Sequence, residues 1–123
     1  MGNRFALIIE DNVPLGAVYT EALSMANYDS EHIVDGRAAL ERLRDTVPDL
    51  VILDMNLPHV SGHYILKQIR SDERLAQTPV IIVTANTPMA EALSSQLTEL
   101  DTLLIKPISA QELRDRAKDM YKD

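Results

Sequence analysis

Cysteine is absent from the 123 residues. This excludes disulfides, thiolate metal sites and thiol nucleophiles, and it removes any need for an oxidising compartment. Basic residues are in deficit: twelve Lys and Arg stand against nineteen Asp and Glu, a formal net charge of −7. A surface with that balance repels phosphate backbones, so direct nucleic-acid binding is not expected. Long apolar runs are missing as well. FALII, LVIL and VIIV are four or five residues long, against the roughly 20 that a membrane-spanning helix requires. The N-terminus has no signal-peptide pattern. Gly2 is followed at position 6 by Ala6, where a myristoylation signal needs Ser or Thr. No internal repeat, low-complexity tract or Pro/Gly-rich linker divides the chain. With 46% hydrophobic and 25% charged residues it has the composition of a folded domain. The expectation is one acidic, soluble, cytoplasmic domain over residues 1–123, with no second domain.

What is present alternates between two kinds of segment. Three are short, continuous and β-branched: Phe5–Ile9, Leu50–Leu53 and Val80–Val83. Runs of this kind suit strands buried on both faces, as in a parallel sheet covered by helices. Ser30–Val34 and Thr102–Ile105 are weaker strand candidates. Between them lie helical patterns. Leu15, Val18, Tyr19, Ala22 and Leu23 recur at spacings of three and four behind Pro14, with Asp11 or Asn12 available as cap. Ala39, Leu40 and Leu43 follow Gly36, and Tyr64, Ile65 and Ile69 follow Gly62. Ala90, Leu93 and Leu97 follow Thr87 and Pro88, read as cap and first-turn proline. Ser109 and Glu112 form a capping box ahead of Leu113, Ala117 and Met120. Strand and helix alternate five times. The expected fold is α/β: a flavodoxin-like, doubly wound (βα)5 domain with a five-stranded parallel sheet.

In such a sheet, function gathers at the carboxyl ends of the strands. Here FALII runs into Glu10 and Asp11, LVIL into Asp54, VIIV into Thr84 and Ala85, and TLLI into Lys106 and Pro107. Each residue alone has an ordinary structural use: an acid after a strand caps a helix or solvates a turn, and a lysine faces water. Together they place three carboxylates, a hydroxyl and an ammonium on one sheet edge. Three carboxylates in one cleft repel one another, and a hard divalent cation, Mg2+ or Mn2+, relieves the repulsion. A carboxylate beside a cation, an ammonium and a hydroxyl is equipped to attack phosphorus.

These residues resemble a response-regulator receiver domain of two-component signalling, over the whole chain from Phe5 to the last helix. The likeness rests on Glu10-Asp11, on Asp54 in LVILDMNLP, on Pro58 and Gly62, on Thr84-Ala85 in VIIVTA and on Lys106-Pro107 in LLIKP. It implies that Asp54 is the phosphoacceptor, supplied by a sensor histidine kinase or a histidine phosphotransfer protein. It implies that Asp11 binds Mg2+ directly, that Glu10 assists through water, and that Asn56 lends its backbone carbonyl. Thr84 then bonds a phosphoryl oxygen and Lys106 pairs with the phosphoryl group, next to a cis Lys106–Pro107 bond. The family catalyses its own phosphorylation and dephosphorylation without being a turnover enzyme. Its output passes to a downstream protein partner or an attached output domain, which these 123 residues have no room for.

Two positions depart from the family pattern. Leu103 stands where Tyr or Phe is usual, so the coupling of threonine to aromatic ring lacks its ring. Glu99-Leu100-Asp101 replaces the common Gly-Ala-Asp turn. A receiver-like interaction module with an altered phospho-switch is the alternative this raises. The fourth helix, fifth strand and fifth helix are the family's output face and carry Asp101, Glu112, Arg116 and Lys118, charges suited either to a homodimer or to solvent. An aspartyl phosphatase of the haloacid-dehalogenase type also uses Asp, Thr, Lys and Mg2+. It needs a second Asp two residues after the nucleophile, where this chain has Asn56. His32 falls in a strand. His59 and His63 are spaced by four residues but have Gly62 between them and no third soft ligand, too few for a zinc site.

Overall fold

The computed structural model describes residues 2–121. Strands and helices alternate: β1 (Arg4–Ile9), α1 (Val13–Met25), β2 (Tyr28–Ile33), α2 (Gly36–Asp45), β3 (Leu50–Asp54), α3 (Gly62–Ser71), β4 (Val80–Thr84), α4 (Thr87–Ser94), β5 (Asp101–Ile105) and α5 (Ala110–Asp119). All four strand pairings are parallel, in the order β2-β1-β3-β4-β5. This is the expected flavodoxin-like sheet, and its order reverses between β1 and β3, where a crevice opens at the strand ends.

The unbroken apolar runs serve both faces. Ala6 and Ile8 of β1, with Leu50 and Ile52 of β3, point into a core with Tyr19, Leu23, Leu113 and Ala117 of α1 and α5. Leu7, Ile9, Val51 and Leu53 point the other way, onto Ala39, Leu43, Ile65, Ile69 and Leu93 of α2, α3 and α4. Burial on both sides explains why these strands read as continuous rather than alternating. The edge strand β2 (YDSEHI) pairs with β1 alone and carries its polar residues exposed or half exposed.

The five helix starts follow the expected chemistry in detail or correct it. Asn12 caps α1, its side chain accepting from the Leu15 amide at 2.9 Å. Asp35 caps α2 and Ser61 caps α3. At α4 the cap is Asn86, not Thr87: Asn86 holds the extended backbone and accepts from the Met89 amide, while Thr87 and Pro88 already belong to the first turn. Ser109 caps α5 by accepting from the Glu112 amide at 3.0 Å.

Asp101 is a second correction. It was expected among the charges of an exposed face, yet its side chain is 2% exposed. As the first residue of β5 it accepts from Arg70 Nε at 3.2 Å and from the Thr98 amide and hydroxyl at 3.0 and 3.1 Å. Arg70 also donates to the Thr78 carbonyl at 2.8 Å. The Thr98–Asp101 hydrogen bonds build the turn into β5 without the usual glycine. Leu103 packs against the core shared by α2, α3 and α4.

Candidate functional site

Four of the five strands bring side chains at or just past their ends to one edge of the sheet. Glu10 and Asp11 follow Ile9 of β1, Asp54 ends β3, Thr84 ends β4 with Ala85 next, and Lys106 follows Ile105 of β5. Parallel register converts these four separate positions into one cluster. Glu10, Asp54 and Thr84 are at most 2% exposed, whereas Asp11, Asn56 and Ala85 lie at the open rim.

The buried polar groups are matched. Lys106 Nζ donates to Glu10 Oε1 at 3.0 Å and lies 3.5 Å from Asp54 Oδ2. Glu10 Oε2 accepts from the Asn12 amide at 3.2 Å, and Asp54 Oδ1 from the Asn56 amide at 3.0 Å. Thr84 Oγ1 accepts from the Asn86 amide at 3.0 Å, which leaves its own proton free to donate outward. The Lys106–Pro107 peptide bond is cis.

Electrostatics make the cluster tense. Burial, reinforced by the neighbouring Asp54 carboxylate, pushes the Glu10 carboxyl up from 4.5 to about 7, against the opposing pull of Lys106 and the Asn12 amide. Burial alone would lower Lys106, but its bond to Glu10 and the charge of Asp54 hold it above its ordinary value. One oxygen from each of Glu10, Asp11 and Asp54 can be drawn so that all three lie within 4.8 Å of one another. Three hard oxygen donors with surplus negative charge fit a divalent cation of the Mg2+ class. Among the described residues no other group of acids and histidines is arranged this way. His59 sits in the loop after Asp54 with φ 67°, and His63 lies on α3; neither joins the acidic cluster.

Two contributors escaped the strand-end pattern. Gly62 starts α3 so close beneath the site that a Cβ there would lie 2.6 Å from the Asp54 carbonyl oxygen and from Met55 Cα. Its recurrence in the family pattern was visible, but the packing reason was not. His32 of β2 bonds the main-chain carbonyl of Glu10 through Nε2 at 2.7 Å. Nothing in a linear pattern marks a side chain whose partner is a carbonyl on the next strand. Beside Lys106, Leu15, Tyr19, Ala85, Pro107 and Ile108 line a mainly apolar recess open to solvent.

Comparison with known proteins agrees with this fold. The profile of the family described as "Response regulator receiver domain" matches residues 6–118. A protein described as "Probable methanogenesis regulatory protein FilR2", from Methanothrix harundinacea, is 31% identical over 93% of this chain and 79% of its own. The response regulator ArlR of Staphylococcus saprophyticus is 32% identical over 94% of this chain and 51% of its own, so the chain spans about half of that relative. The structure of the chemotaxis response regulator CheY4 of Vibrio cholerae superposes with a TM-score of 0.84 over 96% of this chain and 98% of its own; at 24% identity that likeness concerns the fold.

Proposed function

The chain belongs to the response-regulator receiver family, and on that premise we propose that Asp54 accepts a phosphoryl group from the phosphohistidine of a sensor kinase or phosphotransfer protein. The observation that carries the reading is the placement of Asp54. Its carboxylate is buried, held by the Asn56 amide through Oδ1, and faces the Lys106 ammonium at 3.5 Å through Oδ2. In the proposed step an Asp54 carboxylate oxygen forms the new P–O bond as the P–N bond of the donor breaks, and the released imidazole nitrogen takes up a proton. Lys106 moves no proton; it stays charged and balances the oxygens of the transferred group. The Thr84 hydroxyl, which accepts from the Asn86 amide, has its proton free to donate to one of those oxygens.

Asp11, Glu10 and Asp54 would hold Mg2+ (or Mn2+), with the Asn56 carbonyl as a further ligand. When bound, the cation supplies positive charge to the phosphoryl oxygens and relieves the carboxylate repulsion. The protein's own part is to orient Asp54, exclude water beneath it and keep Lys106 at hand. The apolar recess beside Lys106 offers a donor protein a surface next to the reacting carboxylate. The output is proposed to be a protein partner or an output domain, with a homodimer through α4, β5 and α5 as one form. Among the described residues no helix is long and apolar enough to cross a membrane.

Phosphoramidate, a small donor with a P–N bond, tests the reaction class. With Mg2+ the expected result is a stoichiometric, base-labile gain of one phosphoryl group. Sustained release of product from a chromogenic phosphate ester would instead indicate a turnover phosphatase.

A further inference from the structure

We propose that His32 is a positioning residue for the acidic site, and that Gly16 is the residue that admits it. The inference rests on the reading of Glu10 and Asp11 as cation ligands and adds a part of the machinery that lies outside the strand ends.

The β1–β2 ladder pairs Ile9 with Ile33 as its last register position, and the Glu10 amide still donates to the Ile33 carbonyl at 3.1 Å. Beyond that point β2 offers no further main-chain donor to the Glu10 carbonyl, which would otherwise be left to water. His32 fills the gap: its ring nitrogen Nε2 lies 2.7 Å from that oxygen. A carbonyl only accepts, so the bond requires the hydrogen on Nε2 and fixes the tautomer of a neutral ring. The bonded carbonyl belongs to the peptide group joining Glu10 to Asp11. That group is planar, so holding its oxygen fixes the orientation of the whole plane, and with it ψ of Glu10 and φ of Asp11, the torsions that aim the two acids.

The space for the imidazole comes from α1. A Cβ built on Gly16 would overlap the His32 ring, 1.8 Å from Cε1. Gly16 is an interior helical residue whose amide donates to the Asn12 carbonyl at 2.9 Å. Its φ is not in the left-handed region, so the backbone does not call for glycine, and glycine weakens a helix at such a position. What it provides is the room His32 occupies. Glu10, Gly16 and His32 thus form one unit from β1, α1 and β2. Outer groups that orient ligand residues typically alter metal affinity by about 10- to 100-fold when removed.

The test is Mg2+ titration of the full chain by calorimetry, with thermal melts and NMR of the imidazole nitrogens. His32→Ala and Gly16→Ala are each expected to weaken Mg2+ binding by about tenfold, and His32→Gln, whose amide Nε2–H reaches as far, to bind within about threefold of wild type. Gly16→Ala should also lose the Nε2–H signal of His32. The double variant Gly16→Ala/His32→Ala removes the clash, so its melting temperature should recover while its Mg2+ affinity stays low. If wild type binds Mg2+ and His32→Ala binds it equally well, the positioning role is overturned and the site reading stands. Equal weakening in His32→Gln and His32→Ala overturns the hydrogen-bond account in favour of plain packing. Failure of the wild-type protein to bind Mg2+ overturns both readings.

Discussion

Glu10 is the residue at which the opposing forces of the site are easiest to measure. Its carboxyl is pushed up to about 7 by burial and by Asp54. In the unfolded chain the same group loses its proton near 4.5. Over that interval the metal-free folded state keeps a proton that the unfolded state has released, so this group's contribution to stability falls as pH rises from about 4.5 to about 7. The difference in melting temperature between Glu10→Gln and wild type, without divalent cations, should therefore grow in favour of Glu10→Gln across the window. Mg2+ should shrink it, because a cation offsets the charge that burial penalises. A pH-independent difference would contradict the assignment. At this scale the sequence was largely legible: Glu10, Asp11, Asp54, Thr84, Ala85 and Lys106 each sit at or just beyond the end of a short apolar run, and parallel topology does the rest. His32 was legible only as a strand residue, because its partner is a main-chain atom.

Among the elements, α3 has the most to lose at its two ends. At its start, Gly62 lies against the backbone of Asp54 and Met55, which cannot swing aside as a side chain can. Gly62→Ala is expected to destabilise the fold by about 1–3 kcal/mol, the usual cost of overfilling a packed site, as read from urea unfolding. An unchanged midpoint would show that the loop after Asp54 yields. At its end, Arg70 ties α3 to the Thr78 carbonyl and to the buried Asp101 of β5. Removing either partner strands the other, and Asp101→Ala should cost about 3 kcal/mol. Arg70→Lys should rescue poorly, because a single ammonium cannot serve the carboxylate and the carbonyl together as the guanidinium fork does. A loss under 1 kcal/mol for Asp101→Ala, roughly that of a surface pair, would contradict this. Element existence and order were readable from periodicity; element ends were less so. Ala85-Asn86-Thr87-Pro88 contains two residues able to cap α4, and only the backbone conformation selects Asn86. Asp101 looked like a surface charge because its partner Arg70 is 31 residues away.

For the whole molecule, the deficit of basic residues has a local counterpart. Three of the nineteen acids form the site, and the ammonium that faces two of them is Lys106. The five-stranded sheet follows from the alternation of apolar runs that the sequence displays, and the family membership from the match over residues 6–118. What the chain's linear pattern held back is how the parts lock together: the Gly16–His32 fit, the Gly62 approach and the Arg70–Asp101 clamp all join segments that are distant in sequence. We propose that this architecture places Asp54 for phosphoryl transfer. The most direct test is mass spectrometry of the protein after incubation with Mg2+ and acetyl phosphate, comparing wild type with Asp54→Asn. A base-labile gain of one phosphoryl group is expected in wild type, mapped to the peptide containing Asp54, and none in Asp54→Asn. No gain in wild type, or an equal gain in Asp54→Asn, would contradict it.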